Sequence, residues 1–78
     1  MATIENNQGK RVVRISSREM FGPTHTQNVG MALAAFTVDG KTAKEHPDDG
    51  PVIYKWEFPG NMPEDVIKLA LDRLEIKI

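Results

Sequence analysis

The sequence contains no cysteine and no long apolar run. The absence of cysteine excludes disulfide bonds and thiolate metal sites, and it favours an intracellular protein. No apolar stretch is long enough to span a bilayer, and the first residues lack the charged and then apolar pattern of a signal peptide. We therefore expect a cytoplasmic protein with no membrane partner.

The chain also has little net charge and little length. Its 78 residues predict a single domain, residues 1–78, in which residues 1–9 are either frayed or one arm of a hairpin. Ten basic and eleven acidic residues give a formal charge of −1. This balance argues against a protein that binds phosphate backbones without specificity.

The clearest element is an amphipathic helix over about residues 62–73. Pro63 suits the first turn, where its missing N–H costs nothing, and Asn61 is the predicted cap. Glu64 and Asp65 place negative charge at the positive end of the helix dipole. One side of the helix is apolar, through Val66, Ile67, Ala70, Leu71 and Leu74.

Three segments have the composition and alternation of β-strands. Residues 11–16 are rich in β-branched side chains, residues 51–59 alternate aromatic and polar side chains, and residues 74–78 alternate again. The aromatic side of the second segment, Tyr54, Trp56 and Phe58, is expected to form the core under the helix, because aromatic burial contributes most in a thin core.

Residues 29–38 form a continuous apolar run that fits a buried strand or a buried helix. Met, Ala and Leu favour a helix, whereas the Asp39-Gly40 pair that follows is typical of a hairpin turn. We predict a strand. A single helix cannot cover both apolar sides of such a strand, so the uncovered side predicts a contact with a second copy or another protein. The expected contact residues are Met31, Leu33, Ala35 and Ile53.

These elements predict an α+β domain, with a mostly antiparallel sheet of about four strands and one helix packed on one face. The expected core residues come from both layers. They are Val13, Ile15, Tyr54, Trp56, Phe58, Ile67, Leu71 and Leu74.

Residues 19–28 have no period, and Gly22-Pro23 within them predicts a loop. This loop is long for so small a domain, and long irregular loops often carry function. It supplies a candidate site of five residues: Phe21, His25, Thr26, Gln27 and Asn28. A lone histidine among threonines is more often a plain surface residue. His46, Asp48 and Asp49 stand together in a second loop, but their spacing matches no metal motif, so neither a metal nor a cofactor is expected.

Function is the least determined property. The sequence lacks a phosphate-binding glycine loop, a nucleophile elbow and a recognisable catalytic set, so we expect no enzyme but a small protein-interaction or regulatory module that is homo-oligomeric. The alternative is a nucleic-acid-binding domain with aromatic support from Tyr54 or Trp56. Its contact would be a basic strip formed by Lys10, Arg11, Arg14 and Arg18.

Overall fold

The computed structural model describes residues 2–78, which form one antiparallel sheet and two helices. Along the chain the elements are β1 (Thr3–Asn7), β2 (Lys10–Ser16), a single 3-10 turn (Ser17–Glu19), α1 (Pro23–Ala34), β3 (Ala43–Glu45), β4 (Ile53–Pro59) and α2 (Glu64–Arg73). The strand order is β1-β2-β4-β3, with every neighbouring pair antiparallel. The α+β prediction with about four strands is confirmed, although a second helix is present.

The sheet has one face against the helices and one open face. In the central β2–β4 pair, Val13 lies opposite Trp56 and Ile15 opposite Tyr54, so these side chains share the inner face. Alternation puts the neighbouring residues of both strands on the open face. The two helices and this inner face form a two-layer domain. No helix within residues 2–78 is long and apolar enough to cross a bilayer.

The N-terminal residues form a hairpin arm rather than a frayed end. β1 pairs with β2 from Thr3 opposite Arg14 to Asn7 opposite Lys10. The two turn residues, Gln8 and Gly9, have φ values of 52° and 77°. Positive φ at both positions is the geometry of the tight turn that matches the twist of paired strands.

The predicted strand over residues 29–38 is wrong, because most of this run belongs to α1. Pro23 lies in the first turn of the helix, and Val29 and Leu33 are buried one turn apart against the sheet. The segment contains Ala, Met and Leu, which are strong helix formers. The strand prediction rested on the Asp39-Gly40 turn signal, yet this pair lies beyond the helix. The helix also removes the predicted loop over residues 19–28, whose second half is the start of α1.

Asp39-Gly40 does not join two hairpin strands. The Asp39 carboxylate accepts a hydrogen bond from the Lys41 N–H at 3.1 Å, which is a local turn. The preceding Val38 N–H donates to the Glu57 carbonyl at 2.9 Å, so the chain leaves α1 along the end of β4. β3 then pairs with the other end of β4.

Both ends of the α2 region also differ from prediction. The capping position is Pro63, with extended backbone and no side-chain hydrogen bond, so Asn61 is not the cap. Residues 74–78 form no strand. The Ala2 N–H does donate to the Lys77 carbonyl at 2.9 Å, which holds the C-terminal residues beside the start of the sheet.

Most of the predicted core is confirmed. Six of the eight expected residues are buried, and the other two, Tyr54 and Leu74, are partly buried against the cluster. The prediction missed the contributions of α1, of both chain ends and of the segment before α1. The additional residues of the cluster are Ala2, Met20, Val29, Leu33 and Ile76, and Val12 is buried outside the cluster, on the other face of the sheet.

α2 ends in a Schellman motif that has glutamate where glycine is usual. The Ile76 N–H donates to the Leu71 carbonyl at 2.9 Å, and the Glu75 N–H donates to the Asp72 backbone carbonyl at 3.0 Å. Glu75 has a φ of 63°. A side chain in this left-handed conformation costs roughly 1–2 kcal/mol. Glycine at this position would relieve that cost in the folded protein. It would also make the unfolded chain more flexible, and this extra entropy of the unfolded state offsets part of the gain in stability.

We therefore predict that Glu75→Gly raises the free energy of unfolding by up to about 1 kcal/mol. Urea denaturation measures the change. Glu75→Ala is the control, because alanine removes the charge but keeps the Cβ atom. If Glu75→Ala stabilised the protein as much as Glu75→Gly, the gain would come from the charge and not from the backbone.

Candidate interaction surface

α1 presents an outer face to solvent. Because the helix buries Val29 and Leu33, the side chains on the opposite side of the helix point away from the sheet. Met31 is 67% exposed there. The other exposed residues of this side are Thr24, Gln27, Asn28, Ala32 and, just past the helix, Ala35.

This outer face carries no formal charge. No Asp, Glu, Lys or Arg occurs between Glu19 and Asp39, although 27% of the whole chain is charged. We call residues 20–38 the charge-free segment. Surface helices usually place charged side chains on their outer side. A solvent-exposed helix without any is therefore an unusual surface for a free protein.

A shallow apolar groove continues this surface toward α2. Phe36, two residues after α1, is 62% exposed and lines the groove, whose volume is about 50 Å³. From α2 the groove receives Val66, whose side chain is half exposed. The remaining lining residues are also apolar: Leu33, Phe58, Met62, Ile67 and Ala70. The groove can hold the tip of an aliphatic side chain, and it has no polar group that would orient a small ligand.

The outer side of α2 has a different character. Leu69 is 53% exposed, but it is accompanied by Asp65, Asp72 and Arg73. Within residues 2–78, these three charged residues form no ion pair. The outer side of α2 is thus a mixed surface, in contrast to that of α1.

The open face of the sheet holds the predicted basic strip, and carboxylates neutralise much of it. Arg14 contacts Glu5 on β1 at 2.8 Å and Glu45 on β3 at 3.1 Å. The hydrogen bond with Glu45 is the largest cause of the raised pKa of Arg14. Lys10 pairs with Glu57 at 3.3 Å. These pairs leave less positive charge available to a phosphate backbone.

The structure also separates Arg11 and Arg18 from this network. Arg11 belongs to the inner face, where it donates to the Met62 carbonyl and lies 3.1 Å from Glu64 at the start of α2. Arg18 lies in the 3-10 turn after β2. The four residues of the predicted strip therefore do not form one continuous basic surface.

The aromatic support expected for nucleic-acid binding is not accessible at Trp56. Its side chain is buried, and its ring N–H donates to the Thr42 hydroxyl at 2.7 Å. Tyr54 is partly buried, with Lys44 over its ring at 5.7 Å. Since bases stack on exposed rings, a Trp56 platform is excluded by its burial.

The predicted loop site is spread over the first half of α1. His25 accepts a hydrogen bond from the Phe21 N–H at 2.8 Å and contacts the Leu74 carbonyl at 2.6 Å, while the Phe21 and His25 rings stack at 4.8 Å. Thr26 bonds back to the Gly22 carbonyl. His25 thus ties the start of α1 to the end of α2. Gln27 and Asn28 instead belong to the outer face of α1.

The predicted partner contact is partly corrected. Met31 and Ala35 are exposed on one side of α1, as a contact requires. Leu33 is only 2% exposed because it packs in the core, and Ile53 lies on the open face of the sheet, away from both helices. The error follows from the strand assignment, since residues two apart share a face in a strand but not in a helix.

Two further features do not form a site. A wide depression of about 750 Å³ opens near the C-terminus, between Phe21 and residues 75–78, with the opposed charges of Lys68 and Asp72 on its wall. In the part of the chain that the structure describes, no three histidine or acidic side chains converge as metal ligands, and this includes His46 and its neighbours.

The exposed charge-free helix was missed by sequence reasoning, although its signal was present. A gap in charge from residue 20 to residue 38 can be read directly from the sequence. It looked unremarkable because a buried strand would also be uncharged. Comparisons with known proteins add no assignment: no protein-family model matches the chain, and neither the curated proteins nor the solved structures contain a significant match.

Proposed function

We propose that this protein is a small protein-binding module whose contact surface is the outer face of α1 together with Phe36 and the adjoining groove. The observation that supports the proposal is the exposure of Met31 and Phe36 within the charge-free segment. Interface centres are depleted in charged residues and enriched in Met and aromatic side chains.

The energetic reason is desolvation. A partner that covers this surface removes apolar area from water without stripping water from any ionised group. Covering the outer side of α2 or the open sheet face would desolvate several charges. Among these surfaces, the outer face of α1 is the one that a protein partner covers at least cost.

The proposed module is non-enzymatic and cytoplasmic. His25, the histidine of the predicted loop site, has both ring nitrogens in contact with backbone groups, which supports a structural role for it. The lack of cysteine fits a reducing compartment. Both assignments belong to the proposal.

We predict that Met31→Glu and Phe36→Glu each weaken partner binding at least tenfold while leaving the fold intact, because both side chains are exposed. The measurement is chemical cross-linking with mass spectrometry, on the purified protein and in extract of the source cells. Ile78→Glu is the matched control, since it adds the same charge at another exposed apolar residue. Circular dichroism verifies that each variant is folded.

The proposal fails if every cross-linked protein is retained equally by the three variants. It also fails if single-stranded nucleic acid binds in the micromolar range at physiological salt and Arg14→Ala with Arg18→Ala abolishes that binding. In that case a steep fall of affinity with salt concentration would identify phosphate contacts. The nucleic-acid alternative would then replace the protein-binding module.

A further inference from the structure

We infer that Met31 is an oxidation site and that its sulfoxide regulates the proposed binding surface. The regulatory part rests on the proposed protein-binding function, whereas the choice of Met31 as the oxidised residue rests on composition and burial. The oxidant is a peroxide, and the product is methionine sulfoxide. The inference follows from which oxidisable side chains the fold leaves in contact with water.

The chain has few side chains that a peroxide attacks. It has no cysteine, whose thiolate would otherwise compete for the oxidant. Its single tryptophan, Trp56, is 1% exposed. Of its four methionines, three lie in the part of the chain that the structure describes: Met20, Met31 and Met62. A methionine is therefore the first residue that we expect to react.

The fold exposes Met31 far more than the other two methionines. Met31 is 67% exposed on the outer face of α1, whereas Met20 is 9% exposed and belongs to the core cluster. Met62 is partly buried and packs against the same cluster. Because the peroxide must reach the sulfur atom directly, the Met31 side chain should react before the two others.

The reaction is a two-electron oxygen transfer. A lone pair of the Met31 Sδ atom attacks one oxygen of hydrogen peroxide, and the O–O bond breaks as the S–O bond forms. The departing hydroxide takes up the proton of the transferred hydroxyl group and leaves as water. The thioether is oxidised to the sulfoxide, and the peroxide is reduced. Methionine sulfoxide reductases reverse the change, so the modification can be switched off again.

The sulfoxide at Met31 should leave the fold intact. The side chain points into water, where the new oxygen is hydrated, and the α1 residues that pack in the core, Val29 and Leu33, are unchanged. The same reaction at Met20 would place a polar oxygen inside the core, which costs stability. Oxidation of Met31 therefore changes the surface without unfolding the protein.

The sulfoxide changes the binding surface where it is most apolar. Oxidation converts a flexible apolar side chain into a polar one that accepts hydrogen bonds. A partner that covers the oxidised residue must remove its water of hydration, and the apolar surroundings offer no hydrogen bond in return. We expect the affinity for such a partner to fall about tenfold.

Peptide mapping by mass spectrometry, after timed exposure of the full chain to hydrogen peroxide, tests the site of oxidation. Trypsin cuts after Arg18 and Lys41, so Met20 and Met31 lie in one peptide and its fragment ions compare them directly. In the folded protein, Met31 should react about tenfold faster than Met20, with an unchanged circular dichroism spectrum. In concentrated urea the two rates should be similar, because unfolding exposes both side chains.

The regulatory step is tested with the cross-linking experiment in extract. Wild-type protein that has been oxidised at Met31 and freed of peroxide should lose the same cross-linked proteins that Met31→Glu loses. Treatment with methionine sulfoxide reductases should restore them. Met31→Leu is the control, because leucine forms no sulfoxide. Peroxide treatment should leave its cross-links as they are in the untreated variant, whatever their starting amount.

Two results would overturn the inference. One is an equal rate of oxidation at Met20 and Met31 in the folded protein. The other is an oxidised wild-type protein that keeps the cross-links that Met31→Glu loses, and this result would leave the proposed function standing. If Met31→Glu loses no cross-link, the proposed function fails and the regulatory step fails with it.

Discussion

Replacing Leu71 with alanine should lower the free energy of unfolding by about 2–5 kcal/mol. Leu71 is fully buried on the sheet-facing side of α2, in the same cluster as Trp56 and Phe58. The shorter side chain leaves a cavity that the surrounding backbone cannot close. A chain of 78 residues has a total stability of roughly 4–12 kcal/mol, so this single change removes a large part of it.

Urea denaturation followed by Trp56 fluorescence measures this loss, because Trp56 is the only tryptophan and lies in the same core. Leu69→Ala is the matched control, since the same substitution two residues away removes an exposed side chain. It should change stability by less than about 0.5 kcal/mol. Similar losses for the two variants would show that α2 does not pack on the sheet through its Leu71 side.

Gly60→Ala should destabilise the protein by about 3 kcal/mol or more. Gly60 follows β4 and lies against the β1–β2 turn. A Cβ atom at Gly60 would overlap the Gly9 carbonyl oxygen and lie 2.9 Å from the Gly9 carbonyl carbon. These Gly9 atoms belong to the backbone and cannot rotate away as a side chain could. The clash can be relieved only if the β1–β2 turn moves and the pairing of β1 with β2 shifts with it.

Thermal unfolding monitored by circular dichroism gives the size of this effect, at roughly 4–8 °C per kcal/mol for a domain of this length. Gly50→Ala is the control, because its Cβ atom would meet the Pro47 side chain at an ordinary 3.5 Å. We expect a shift of less than a few degrees for Gly50→Ala. If Gly60→Ala melted at the wild-type temperature, the close approach of Gly9 and Gly60 would be ruled out.

The sequence predicted those elements whose local pattern and final environment agree. α2 has an apolar stripe with a helical period, and Ile67 and Leu71 of that stripe are buried, although Val66, which was assigned to the same stripe, stays half exposed. β4 alternates because one face lies in the core and the other in water, so its period of two was visible before folding. The packing of the apolar side of α2 on the aromatic side of β4 was therefore also predicted, because these are the two largest apolar surfaces that the sequence pattern shows.

The sequence failed where local pattern and environment diverge. Residues 29–34 are apolar almost throughout, yet only Val29 and Leu33 of α1 are buried, so the pattern does not reveal which side faces the sheet. Residues 74–78 alternate like a strand, but the backbone of Glu75 turns into the left-handed region and ends the pattern after α2. The left-handed backbone at Glu75 thus prevents the strand that the alternation of residues 74–78 predicts.

The candidate surface shows the same division. Its composition, a long segment without charge, belongs to the sequence, and so do the apolar identities of Met31 and Phe36. Their exposure was decided by tertiary structure, because the sheet offers α1 room to bury one side only and the other side remains in water. Arg11 and Arg14 likewise share one strand, but they are three residues apart and therefore point to opposite faces of the sheet. Arg11 then pairs with Glu64, whereas Arg14 pairs with Glu5 and Glu45. Amino-acid type determines which contacts a side chain can make, and packing of distant segments determines which of those contacts it meets.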